Sequence, residues 1–187
     1  NGPDLTQIVQ EHYNPIIRKI RNIEKPIVAA VNGVAAGAGA SIALACDIVV
    51  ATESATFIQA FSKIGLIPDS GGTFFLPRLI GMQKAAALMM TAETVSAKDA
   101  EKMGMIYKAF SDESFKQESW KLVSKLAGMP TKGLGLTKRL LNASYSNNLE
   151  EQLDMEDKCQ TIAGNTTDFK EGIEAFFEKR KPNFKGE

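Results

Sequence analysis

Residues 26–45 constrain the fold of this chain more than any other segment. Pro26 opens a continuous apolar run, Ile27-Val28-Ala29-Ala30-Val31, and Asn32-Gly33 closes it. A β-branched run bounded by Pro and Gly predicts a strand buried on both faces. The stretch Gly33 to Ala45 that follows is small and apolar and predicts a tightly packed helix. Strand, glycine-rich turn and helix in that order turn backbone N–H groups and the positive helix end toward a negative ligand atom. The same small residues also suit plain close packing of a helix, and the spacing alone does not separate the two.

Asp47 to Ala51 reads as a second strand and Ala55 to Ile58 as a short extended run, so strand and helix alternate and imply an α/β layered core. Upstream, Ile8, Val9, Tyr13, Ile16, Ile17 and Ile20 keep a helical period, with Pro15 expected to kink or restart it. Downstream, the loop Asp69-Ser70-Gly71-Gly72-Thr73 delivers an acidic residue to the start of a helix ending near Gly81. Residues 83–91 and 96–103 predict two short helices, the second opened by a Ser96 N-cap, and Gly104-Met105-Ile106-Tyr107 predicts the last strand. From Asp112 onward only helical periodicity remains, in segments 113–128, 131–145, 149–163 and 167–179. The expected organisation is a core over residues 1–111 and a helical region over 112–187.

Composition narrows the class. The 187 residues are 44% apolar, enough to fill a core. Lys plus Arg and Asp plus Glu each total 22, so no net field draws nucleic acid or an acidic membrane surface, and neither is expected as a partner. No apolar run reaches the roughly 18 residues needed to span a bilayer. Cys46 and Cys159 are too few for a disulfide framework and are expected as buried free thiols in a reducing, cytoplasmic setting. The chain begins Asn-Gly-Pro-Asp without an initiating Met, and an upstream part is expected to be absent. His12 is the one histidine and lies far from the glycine-rich and Asp69 segments, which disfavours a Ser-His-Asp hydrolase and makes it a surface residue.

The spacing Gly33-x-x-x-Gly37-x-Gly39 also suits the nucleotide loop of a short-chain dehydrogenase. Such an enzyme needs a Tyr-x-x-x-Lys pair, and the residues four after Tyr13, Tyr107 and Tyr145 are Ile17, Ser111 and Leu149. The catalytic half of a dehydrogenase is therefore missing.

The run Lys25 to Gly39, with Cys46-Asp47-Ile48 and Gly65-Leu66-Ile67-Pro68-Asp69-Ser70-Gly71-Gly72, closely resembles the enoyl-CoA hydratase/isomerase (crotonase) superfamily across essentially the whole chain. Within it the chain looks most like the ring-epoxide isomerase branch of phenylacetate degradation. The resemblance implies a spiral of β-β-α turns followed by a C-terminal helical trimerisation region, with trimers commonly paired into hexamers. It implies an acyl-CoA substrate and no separate cofactor or metal. Matching the family motif, the backbone N–H of Ala38 gives one half of an oxyanion hole, the other half belonging to an upstream loop. Gly37, Ser41 and Phe61 fall at substrate-pocket positions, and the two glutamates of family hydratases are replaced by Ser41 and Phe61. Asp69 stands where family isomerases and dehalogenases use a single aspartate, although Pro-Asp-Ser-Gly-Gly is also good helix-capping chemistry. Lys179 matches a residue that reaches coenzyme A phosphates, whereas Gln160 departs from an aromatic that stacks near adenine in some hydratases. Asp47 is expected to be structural. The expected activity is a double-bond shift or an epoxide-to-oxepin rearrangement by single-aspartate proton transfer. The alternatives are a hydratase or dehalogenase-like thioester hydrolase of the same superfamily, and a noncatalytic acyl-CoA-binding subunit.

Overall fold

The computed structural model describes residues 4–187 and divides into two compact units, residues 4–21 with Ile27–Trp120, and Asn22–Pro26 with Lys121–Glu187. The sequence boundary at 111/112 falls nine residues short of the end of the first unit.

The first unit opens with α1 (Leu5–Ile8) and α2 (Asn14–Asn22), joined by a π-helical turn over Val9–Tyr13. That wider turn precedes Pro15, whose missing N–H and ring disturb the regular ladder, so the expected kink takes this form. His12 sits in this turn and is exposed. The β-β-α turns follow: β1 (Val28–Val31), β2 (Val34–Ala36) and α3 (Ala38–Leu44), then β3 (Ile48–Thr52), β4 (Thr56–Ile58), a short 3-10 turn over Ala60–Ile64, and α4 (Gly72–Ile80). The second turn stacks on the first in parallel register, Val28 beside Ile48 and Val34 beside Thr56. Next come α5 (Met82–Thr91), β5 (Thr94–Ser96), α6 (Ala97–Lys102), β6 (Lys108–Phe110) and α7 (Phe115–Ala127). Two three-stranded sheets result, β1-β3-β6 all parallel, and β2-β4-β5 with β5 antiparallel to β4.

Small residues let these layers close: Ala40, Ala51, Ala55, Ala97 and Ala100 are essentially inaccessible and pack with Leu76 and Phe57. Asp47 is structural, as expected. Its carboxylate accepts from the Ile27 N–H at 2.8 Å and from Arg21 at 2.9 Å, tying α2 to the start of β1.

Four sequence expectations need correction. The helix predicted over Gly33–Ala45 begins only at Ala38, because Val34–Ala36 is a strand that buries Ala35 and exposes its neighbours. The last strand is Lys108–Phe110 rather than 104–107. Met105 and Ile106 still enter the core, but from a turn around Gly104, and Glu101 receives the Ala109 N–H. The strand β5 was not foreseen, although Ser96 does cap α6 through the Asp99 N–H. Of the two thiols only Cys159 is buried, Cys46 being half-buried.

The second unit carries the rest of α7 and α8 (Thr131–Ala143), α9 (Leu149–Gly164) and α10 (Thr167–Phe177). The four tail helices α7 to α10 begin and end within two residues of the expected bounds. Their starts have clear chemistry: Asn148 and Glu151 form a capping box at α9, and the Thr166 hydroxyl accepts the Phe169 N–H at α10. The segment 22–26 joins this unit through α8, where the Lys138 ammonium donates to the Lys25 carbonyl at 3.1 Å and Gly135 lies against the Glu24 backbone. Among the described residues no helix is long and apolar enough to cross a membrane.

Candidate active site

Three short stretches of the first unit converge: the N-terminus of α3, the exit of β4, and the loop before α4. Gly37 ends β2 with its N–H on the Ile58 carbonyl at 2.9 Å, and it turns the chain into α3 at φ 53, a conformation side-chain-bearing residues rarely adopt. A Cβ there would lie 3.7 Å from the Phe61 ring, so the phenyl group covers this turn. Ala38 is the first residue of α3 and is half-buried. Its N–H has no intrahelical acceptor, and none of the described residues accepts from it.

One turn on, Ser41 is fully buried, and its hydroxyl has no hydrogen-bond partner among the described residues. A Cβ on Gly72 would sit 2.6 Å from Ser41 Oγ, 3.3 Å from Pro68 and 3.6 Å from Gln59 Oε1. Glycine at 72 is thus the hinge on which α3, the Gln59–Phe61 segment and the Asp69 loop meet. Gln59 Oε1 is also buried and has no partner among the described residues. Buried polar atoms without partners are uncommon in folded proteins and mark places that ask for a functional reading.

Asp69 is half-buried in this loop. Its carboxylate does not cap α4. The N-cap is Gly71, at φ 76 and without a side-chain bond, and the Gly72 N–H goes to the Asp69 backbone carbonyl at 2.8 Å. Among the described residues the carboxylate instead accepts one hydrogen bond, from the Ser70 hydroxyl to Oδ1 at 2.9 Å. Asp69, Ser41, Phe61, Gly37 and Ala38 therefore share one neighbourhood. Ser70 and Gln59 belong with them and were not singled out from sequence. The signal available was weak: a polar residue inside Phe57–Phe61, and a serine between Asp69 and two glycines.

Lys179 belongs to the second unit. It follows α10 in a left-handed conformation, φ 54, which stops the helix at Phe177 rather than at the expected 179. Arg180 beside it is committed to Glu171 and Glu178, while the Lys179 ammonium is exposed and has no carboxylate partner among the described residues. The Arg180 guanidinium, and then the Asn183 N–H, hold the Glu171 carboxyl down at about 2. A depressed carboxylate contributes stability above its ordinary value near 4.5 and loses it as pH falls through its folded value. The fold-back of residues 180–183 should accordingly persist through mild acid and weaken only between about pH 4.5 and 2. A carboxyl titration by NMR should show it, and Arg180→Gln should move the Glu171 midpoint upward.

The sequence profile for the family described as "Enoyl-CoA hydratase/isomerase" matches residues 1–187. The 1,2-epoxyphenylacetyl-CoA isomerase of Escherichia coli (strain K12) is 46% identical over 185 residues, covering 99% of this chain and 71% of that protein. A Rhodobacter capsulatus protein named "probable enoyl-CoA hydratase" is 43% identical over 185 residues, covering 99% and 72%. Among solved structures, an enoyl-CoA hydratase from Bacillus anthracis superposes with a TM-score of 0.92 at 31% identity, covering 100% of this chain and 73% of that one.

Proposed function

The chain belongs to the enoyl-CoA hydratase/isomerase family, and from that premise we propose that it is an isomerase of acyl-CoA thioesters in which Asp69 alone moves the proton. The observation that carries this reading is that residues 37–41, 59–61 and 68–72 contain one carboxylate, Asp69, with Ser41 and Phe61 where family hydratases carry glutamates. Adding water asks for a group to activate the water and preferably a second to handle the carbon proton. Shifting a double bond asks only that one base take a proton at one carbon and return it at another. In a 3-enoyl thioester, Asp69 takes the C2 proton and the electron pair passes to the thioester oxygen. The dienolate is held by the Ala38 N–H, one of the two donors the family uses, and Asp69 then delivers the proton to C4. A donor preorganised for the developing oxyanion is typically worth roughly 100- to 1,000-fold in rate.

Gly37, Ser41 and Phe61 would line the acyl pocket, and the free Lys179 ammonium suits a coenzyme A phosphate. Exposed Phe176 and Phe177 beside an apolar groove of about 620 Å³ in the second unit support assembly into trimers or hexamers through the tail helices. The balanced charge, and two cysteines that are not joined in a disulfide, support a cytoplasmic setting. The natural reaction is a double-bond shift or the ring epoxide-to-oxepin rearrangement, the latter supported by the similarity to the Escherichia coli isomerase. The second reading is a hydratase, favoured by the comparable similarity to the Rhodobacter capsulatus protein.

The deciding experiment incubates the full-length protein with a 3-enoyl-CoA and, separately, with the conjugated 2-enoyl-CoA, both in oxygen-labelled water. An isomerase raises the ultraviolet absorbance of the conjugated 2-enoyl thioester and leaves its product unlabelled. Label in a hydroxyl product identifies a hydratase, and binding without either change points to a noncatalytic subunit.

A further inference from the structure

Ser70 is a serine where the backbone asks for glycine. Its φ is 51, and Gly71 after it repeats the left-handed conformation at φ 76. A non-glycine residue held there is strained, and such strain persists only where the surroundings over-determine it. What the position gains is the hydroxyl. Ser70 is 1% exposed, and its Oγ donates to Asp69 Oδ1 at 2.9 Å. Removed from water, that bond meets little competition from solvent. The other carboxylate oxygen, Oδ2, accepts no hydrogen bond from any described residue.

We propose that Ser70 is the positioning residue of this site: its buried hydroxyl fixes Oδ1 of Asp69 and leaves Oδ2 as the oxygen that carries the proton. The inference rests on the isomerase reading of Asp69 and deepens it. Rotation about Cβ–Cγ is soft in an unrestrained aspartate and exchanges its two oxygens. A single base that returns the proton directly works best when its protonated oxygen stays facing the dienolate between the two carbons. As the C2–H bond breaks, an Oδ2–H bond forms and the electron pair moves to the thioester oxygen; the return step reverses this at C4. A carboxyl that spins between the steps turns the proton away from the dienolate. The Ser70 bond to Oδ1 stops that spin without consuming Oδ2.

The test uses the full-length protein as Ser70→Gly, Ser70→Ala and Asp69→Asn, assayed on a 3-enoyl-CoA. Glycine relieves the left-handed backbone, so Ser70→Gly should melt no lower than the parent. It should nevertheless lose roughly 10- to 100-fold in kcat, the scale of a misplaced reacting group, with KM within about twofold. Ser70→Ala should show the same split between kcat and KM. If Asp69→Asn is inactive but Ser70→Gly turns over within twofold of the parent, the positioning role is wrong and the isomerase reading stands. If both Ser70 variants lose activity through KM and a lower melting temperature, the serine is only structural. Turnover retained by Asp69→Asn overturns both ideas at once.

Discussion

Asp69→Asn should lower turnover of a 3-enoyl-CoA by roughly 100- to 10,000-fold while leaving the fold and KM close to the parent values. The range is that of a positioned general acid–base group. The change is nearly isosteric, and the amide oxygen can still accept from the Ser70 hydroxyl, so the loop keeps its shape. Helix capping does not confound the result. Gly71 is the N-cap of α4, and the Gly72 N–H is taken by the Asp69 main-chain carbonyl, which the substitution leaves in place. Circular dichroism and a melting curve measured beside kcat separate lost chemistry from lost structure. Activity within tenfold of the parent in a folded variant would move proton transfer to another residue.

Gly135→Ala should produce the largest loss of stability of the substitutions considered. A Cβ there would lie 2.7 Å from the Glu24 carbonyl oxygen and 3.1 Å from its carbon, both backbone atoms that no rotamer change can move aside. Helix α8 would have to lift from the 22–26 segment, straining the Lys138 bond to the Lys25 carbonyl. Overpacking of this kind costs about 3 kcal/mol, and at this chain length about 6–12 °C of melting temperature. The control is Gly133→Ala in the same helix. There the nearest atom is a Pro130 side-chain carbon at 3.9 Å, ordinary contact, and removing a helix-interior glycine should raise the melting temperature slightly. Equal effects at the two positions would refute the packing argument.

How much of this was legible before the structure depended on which physics decided each element. The strand at Val28–Val31 was clear because β-branched residues and flanking breakers agree. The tail helices were clear because period and capping residues agree, as with Asn148 and Glu151. Val34–Ala36 was not, since three residues in a run of mostly alanine and glycine carry no period, and pairing with Thr56–Ile58, far along the chain, decides their state. The last strand shifted because burial of Met105 and Ile106 does not require extended pairing. Within the candidate site, Asp69 stood out through its motif and turn setting. Ser70 did not, because nothing in a sequence marks a serine that will be held left-handed. Gln59 did not either, since its burial follows from contacts around Gly72.

The stacked turns also have a kinetic consequence. Every pairing in the β1-β3-β6 sheet is parallel, so no local hairpin can start it. Val28 meets Ile48 only after a whole turn of the spiral has been made, and Val50 meets Lys108 across a much longer loop. The entropy of closing those loops is lost before any strand contact repays it, which puts folding of the first unit in the slow, millisecond-to-second regime of non-local folds. The helices of the second unit pack on sequence neighbours and form without that delay, and only the 22–26 segment has to be captured from far along the chain. During synthesis the spiral therefore cannot lock until the chain has passed Phe110, and a ribosome stalled before that point carries β3 with one edge still open.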